Sequence, residues 1–191
     1  MAHIADDFES GVANWSTVRG DTGLQVVDGA VRVNTNTNGN VRNDLRIGSG
    51  DMVVDVRVTD IPNSVNCAAF VMSRCAAGTG TGAQTYYALQ THRQAQTYAV
   101  LKYSNAAATP LASNVPTTVP TPPYRMRIEV QGAVVRAYID DLLLGTWTDT
   151  SPLPASDMAG IGFHNAQAGV FMDDFRAFHI GPQNDLLLSA V

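Results

Sequence analysis

Residues 124–180 constrain the fold most, because their side chains alternate between apolar and polar over strand-length runs. Tyr124, Met126, Ile128 and Val130 interleave with Arg125, Arg127, Glu129 and Gln131, a period of two that buries one face of a strand. Gln131-Gly132 marks a turn, after which Val135, Ala137 and Ile139 alternate with Arg136 and Tyr138. Asp140-Asp141 starts the next turn and 142–147 a third strand. Beyond a Pro-containing loop, 159–163 and 170–180 supply two more. Consecutive strands joined by short turns form an antiparallel meander, so the chain reads as all-β.

The first half continues the pattern. Residues 6–8 read as a short strand, and 24–27 with 30–34 form a hairpin across Asp28-Gly29, a two-residue turn signal. In 41–47, Val41, Leu45 and Ile47 are expected inward, with Arg42, Asp44 and Arg46 outward. Met52, Val54, Val56 and Val58 point inward on the next strand, leaving Asp55 and Arg57 outward. Residues 67–74 are apolar on both faces and read as a central strand. Segments 84–92 and 97–103 form a hairpin around Arg93-Gln94-Ala95-Gln96. Residues 104–123 carry no charge and five prolines. They read as a long loop, either a crossover between sheets or an arm lying on a neighbouring subunit.

The closing motifs resemble those of the concanavalin A-like lectin/glucanase superfamily, in its LamG-type jelly-roll form. The resemblance rests on the alternating strand 124–130, Gly132, the strand end 137–140, 146–149, the Gly160 to Phe163 segment and the Asp-Asp pair within 171–178. At the start, Asp7-Phe8, Trp15, and Val26 to Gly29 followed by Val31 and Val33 are similar to the family's opening. Asp141 stands where the family usually has glycine, which implies a different turn geometry. The resemblance implies a two-sheet antiparallel jelly-roll sandwich over 1–181, with the first and last strands near each other. Residues 182–191 are left as an apolar tail.

With 191 residues the chain can bury one sizeable core. A net charge of −5 argues against nucleic acid as a partner, since phosphate binding needs a positive surface. No run approaches transmembrane length, so membrane insertion is not expected. The start has neither a basic nor an apolar leader region, and synthesis and folding in a cytoplasm are expected. Cys67 and Cys75 on one strand would sit about 25 Å apart, too far for a disulfide, so both are read as reduced.

Catalytic chemistry is not expected. Glycosidases of the family carry paired carboxylates, because a retaining mechanism needs an acid and a nucleophile about 5 Å apart. Here the only glutamates are Glu9 and Glu129, on separate elements, and no Gly-x-Ser-x-Gly elbow occurs. Asp140-Asp141 and Asp173-Asp174 are read as adjacent strand residues pointing to opposite faces. The four histidines lack metal-site spacing. Family members often hold a structural calcium, for which Asp6, Asp7, Asp173 and Asp174 are candidates. The alternative is that these acids bond to backbone amides, and neither a metal ligand set nor any cofactor is assigned. Sugar binding needs aromatics beside directed polar groups. Tyr86, Gln90, His92, Tyr98 and Lys102 are the candidate ligand-binding patch on the 84–103 hairpin. Arg42, Arg46, Arg57, Arg125, Arg127 and Arg136, interleaved with Asp44, Asp55 and Glu129, are expected to form cross-strand ion pairs.

Leu186, Leu187 and Leu188 would be costly to expose, and are the candidate partner-binding residues. The tail, the neutral 104–123 segment and the expected cytoplasmic synthesis point to assembly. Short non-catalytic jelly rolls of this kind resemble those on tailed-bacteriophage virions, as head decoration or minor tail proteins. That resemblance implies virion proteins, or further copies of this chain, as partners, with cell-surface glycans as ligands. The alternatives are a carbohydrate-binding module and a sugar-active enzyme of the same superfamily.

Overall fold

The computed structural model describes residues 3–19, 24–33, 39–64, 67–77, 84–164 and 169–181. Among them there is no helix, and two antiparallel sheets pack face to face. The eight-stranded sheet contains β1 (His3–Asp6), β3 (Leu24–Val27), β4 (Ala30–Val33), β6 (Met52–Asp60), β11 (Tyr124–Gln131), β12 (Val134–Ile139), β13 (Leu142–Thr148) and β15 (Phe171–His179). Its order is β13-β12-β11-β6-β15-β4-β3, with β1 also paired to β15, as the resemblance implied. The seven-stranded sheet contains β2 (Trp15–Arg19), β5 (Gly39–Asn43), β7 (Ala68–Cys75), β8 (Tyr86–His92), β9 (Thr97–Ser104), β10 (Ala107–Pro116) and β14 (Met158–His164). Its order is β10-β9-β8-β7-β14-β5-β2.

Alternation decides which side chains meet between the sheets. Tyr124, Met126, Ile128 and Val130 of β11 and Met52, Val54, Val56 and Val58 of β6 are buried against Val71, Tyr87, Leu89, Val100 and Ile161 of the facing sheet. β14 comes so close to its neighbours that a Cβ on Gly160 would lie 2.3 Å from the Val41 carbonyl oxygen and 2.9 Å from Met72 Cε. Cys67 and Cys75 are free and buried.

The structure corrects several expectations. The 104–123 segment is not a loop throughout: Ala107–Pro116 is an edge strand paired to β9, with register shifts after Pro110 and after Ala112. Proline is tolerated there because one side of an edge strand makes no ladder bonds, and the irregularities blunt the edge against pairing with other chains. The strand expected over 41–47 ends at Asn43, where its side-chain oxygen takes the Leu45 amide. Leu45 is therefore exposed, while Arg42, expected outward, is buried beside Asp44 and the Ala76 carbonyl. The expected strand at 6–8 lies earlier, at β1, because Phe8 adopts φ 57° and turns the chain.

Neither aspartate pair sits on a regular strand. Asp140 and Asp141 both have positive φ, 45° and 64°, so Asp141 occupies the left-handed position where the family usually has glycine. Asp174, at φ 54°, lies in a bulge between β15 and β6, which lets Met172, Phe175 and Ala177 all reach the core. The tail residues Leu186, Leu187 and Leu188 lie outside the described residues.

Candidate functional site

The two strands of the candidate tyrosine patch, β8 and β9, pair as expected, but their register splits it. The four-residue turn 93–96 sets His92 opposite Thr97, so Thr91 faces Tyr98 and Tyr87 faces Lys102. Directly opposed residues share a face. Tyr98 and Lys102 therefore sit on the core side, and Tyr86, Gln90 and His92 on the outer side. Tyr98 is buried and donates from its hydroxyl to the Leu144 carbonyl, 3.2 Å away. Lys102 reaches Asp149 at 2.9 Å and the Ser151 carbonyl at 2.6 Å. Tyr86 is fully buried and packs on Tyr103, with ring centroids 4.7 Å apart.

Lys102 belongs to a structural network. Tyr87 donates its hydroxyl proton to Asp149 at 2.7 Å and accepts the Leu153 amide. Burial would raise the Asp149 carboxyl. The bonds from Lys102, the Ser151 amide and Tyr87, with the Lys102 charge, outweigh it and hold the group below its ordinary 3.8. Burial, opposed by the Leu153 amide and aided by Asp149, pushes the Tyr87 hydroxyl to about 12. These groups staple the hairpin to the loop after β13 and leave no polar atom of Lys102 for a ligand.

The outer side of the seven-stranded sheet keeps Gln90 and His92 and adds residues that the sequence did not single out. Gln90 stands opposite Phe70, and Phe70 opposite Gly162. One row on, His92 stands opposite Ala68, and Ala68 opposite His164. The small Ala68 thus separates two half-buried imidazoles, with Phe70 and Gln90 buried behind them, Phe70 in an apolar cluster with Ala68, Met72, Tyr86 and Ala88. Phe70 meets the His164 ring edge-on, with centroids 6.4 Å apart. Thr97, across the hairpin from His92, has a buried hydroxyl with no hydrogen-bond partner. Burial, and then the nearby His164, lower the pKa of His92. His92 is therefore neutral at pH 7, with one ring nitrogen to donate and one to accept. Parity alone could have found Phe70. His164 needed the β7–β14 register, which joins strands far apart in sequence.

A chemical polarity divides the two sheets. Among the described residues, no strand of the seven-stranded sheet contains an aspartate or glutamate. The other sheet carries Asp55, Glu129, Asp173 and Asp174 on its central strands, most of them tied into ion pairs. Arg125 bridges Asp55 at 2.5 Å and Asp174 at 2.6 Å, and Arg127 pairs with Glu129 and Asp141. Arg127 also lies over the Tyr138 ring, 4.1 Å from its centroid. Burial raises the Asp55 carboxyl and outweighs the lowering by Arg125 and Arg176. Of the cross-strand pairs expected from the arginine pattern, Arg125 with Asp55 and Arg136 with Glu129 are present on this face, Arg127 meets Glu129 within its own strand, and Arg57 forms no ion pair among the described residues.

The four calcium candidates do not converge. Asp6, Asp7 and Asp173 each accept a nearby backbone amide, from Phe8, Glu9 and Asp174 respectively, while Asp174 pairs with Arg125. No group of three or more metal-capable side chains occurs among the described residues. No helix among them is long and apolar enough to cross a membrane.

No family model and no curated protein matches the chain. Solved structures do. A carbohydrate binding module, CBM66 from Bacillus subtilis, is similar with a TM-score of 0.68 at 18% identity, over 86% of this chain and 96% of that one. A Bacillus licheniformis β-glucanase gives 0.64 at 11%, over 95% and 99%. A Bacillus subtilis protein of unknown function with a galectin-like fold gives 0.64 at 15%, over 94% and 96%. At these identities the likeness concerns the fold, and the chain has the jelly-roll sandwich of concanavalin A-like proteins.

Proposed function

We propose that this chain is a non-catalytic carbohydrate-binding jelly roll, which takes its glycan on the outer side of the seven-stranded sheet around His92, Gln90, Phe70 and His164. The absence of any carboxylate from the strands of that sheet, among the described residues, carries this reading. A retaining glycosidase needs two carboxyls about 5 Å apart on the face that holds the sugar, and an inverting one needs a wider pair. What the face offers instead is two half-buried imidazoles, with the Phe70 ring and the Gln90 amide buried beside them at 6% and 7% exposure, groups that contact and hydrogen-bond a sugar without cleaving it. The similar folds include a carbohydrate binding module, which supports the same class. Glycan-array screening followed by calorimetry tests it. Gln90→Ala and His92→Ala should each weaken binding about tenfold, as expected for one lost hydrogen bond at a desolvated site. Binding that survives both substitutions unchanged contradicts the placement.

One feature favours the second reading, a structural protein of a tailed-bacteriophage virion. Leu142 and Leu143, 67% and 49% exposed, lie on the free edge strand β13 and suit docking on another protein. Solution mass by light scattering tests the homo-oligomeric form. A discrete oligomer that Leu143→Glu dissociates supports it, and a monomer contradicts it.

A further inference from the structure

Between the end of β1 and the end of β5 lies a cavity of about 200 Å³, walled by Asp6, Asp7, Ser10, Asn14, Asn43 and Leu45. Its floor contains an unusual group. Asn43 is fully buried, and its Oδ1 accepts the Leu45 amide at 2.9 Å, which fixes the orientation of the side-chain amide. The opposite atom, Nδ2, is buried and has no hydrogen-bond partner. Native folds seldom leave such a donor unmatched, and an exception calls for a reason.

The walls are held rigid from behind. Both oxygens of Asp6 are committed, one to the Phe8 amide at 2.8 Å and the other to Trp15 Nε1 at 2.7 Å. Trp15 in turn packs between Phe8, tilted, and Phe175, edge-on, with centroids 5.4 and 4.9 Å away. The rim is different: Asp7, Ser10 and Asn14 are exposed, and Asp7 uses one oxygen on the Glu9 amide. The cradle therefore combines a buried donor with an exposed carboxylate, hydroxyl and amide.

This chemistry selects among ligand classes. A cation would meet the N–H groups of Asn43 at the floor, and each Asp6 oxygen already accepts one N–H bond. An anion would meet Asp6 and Asp7. A hydroxyl fits both ends, since it accepts from Asn43 and donates to Asp7. The geometry points to a second ligand site, a pocket for one neutral polyhydroxylated unit such as a single saccharide ring, bound through neighbouring hydroxyls. It is separate from the His92 face and does not depend on it.

The test is nitrogen-15 NMR of the full chain, titrated with D-glucose, D-galactose, D-fructose, N-acetyl-D-glucosamine and calcium chloride in turn. At least one sugar should shift the Asn43 side-chain amide pair saturably. Asp7→Ala, at an exposed position that leaves the floor intact, should weaken that sugar about tenfold, the loss of one charge-assisted bond. Asn43→Ser should abolish the sugar-induced shifts of the backbone amides around the cavity, such as Leu45 and Ser10, and an otherwise unchanged spectrum shows that the fold persists. Failure of every sugar to shift the pair overturns the proposal, as does a response to calcium alone or to sugars unaffected by Asp7→Ala. Shifts confined to His92 and Phe70 overturn it too while supporting the sheet-face site. Shifts at Asn43 without any at His92 do the reverse.

Discussion

Replacing Asp149 with alanine is expected to destabilise the domain by about 3–5 kcal/mol, the usual cost of removing one partner from a buried ion pair. Asp149 is 6% exposed, and the Lys102 side chain that it neutralises is 14% exposed. Without the carboxylate, the ammonium keeps only the Ser151 carbonyl, and the Tyr87 hydroxyl loses its acceptor. For a chain of this size the melting temperature should fall by roughly 10 °C. A double variant, Asp149→Leu with Lys102→Met, should recover most of the loss, because the penalty lies in the stranded charge more than in the pair itself. The same group sets an acid limit. Its folded pKa is below 3.8, so its contribution is complete above that value and is lost as pH falls through the lower folded value. Asp149→Ala should therefore flatten the acid arm of a stability–pH curve. An arm of unchanged steepness would show that other carboxylates govern it.

Gly160→Ala should cost about 3 kcal/mol, the upper end for overpacking. The added carbon would lie 2.3 Å from the Val41 carbonyl oxygen and 3.0 Å from Arg42 Cα. Both are backbone of the paired strand β5, which cannot move aside as a side-chain tip can. Gly181→Ala, where a Cβ would meet nothing within 4 Å, is the matched control and should be near neutral. Equal melting temperatures for the two variants would mean that β5 is far less firmly packed on β14 than this geometry requires.

The fold was legible in the sequence where local signals were strong. Alternation over 124–130 and 134–139 and the Asp28-Gly29 turn place strands that the structure contains. The 107–116 strand was hidden because proline, alanine and threonine without alternation give no periodic signal, and an exposed edge needs none. The candidate site failed at a different level. Parity assigned Tyr86, Gln90 and His92 to one face of their strand and Tyr98 and Lys102 to one face of theirs, which is how they lie. Which of those faces coincide depends on register, and a four-residue turn leaves register open in the sequence. Asn43 was invisible for a related reason: an asparagine at a strand end is ordinary until its buried amide is seen to lack an acceptor.

Incubation of the protein with the glycan that it retains most strongly on an array, followed by mass spectrometry of that glycan, tests the central claim most directly. The expected result is saturable binding, weakened by Gln90→Ala and His92→Ala, with the glycan recovered intact after prolonged incubation. Shortened or transferred chains would contradict the non-catalytic reading. They would require a carboxylate pair brought to the seven-stranded sheet from outside its strands. Retention of no glycan at all would contradict the binding reading itself.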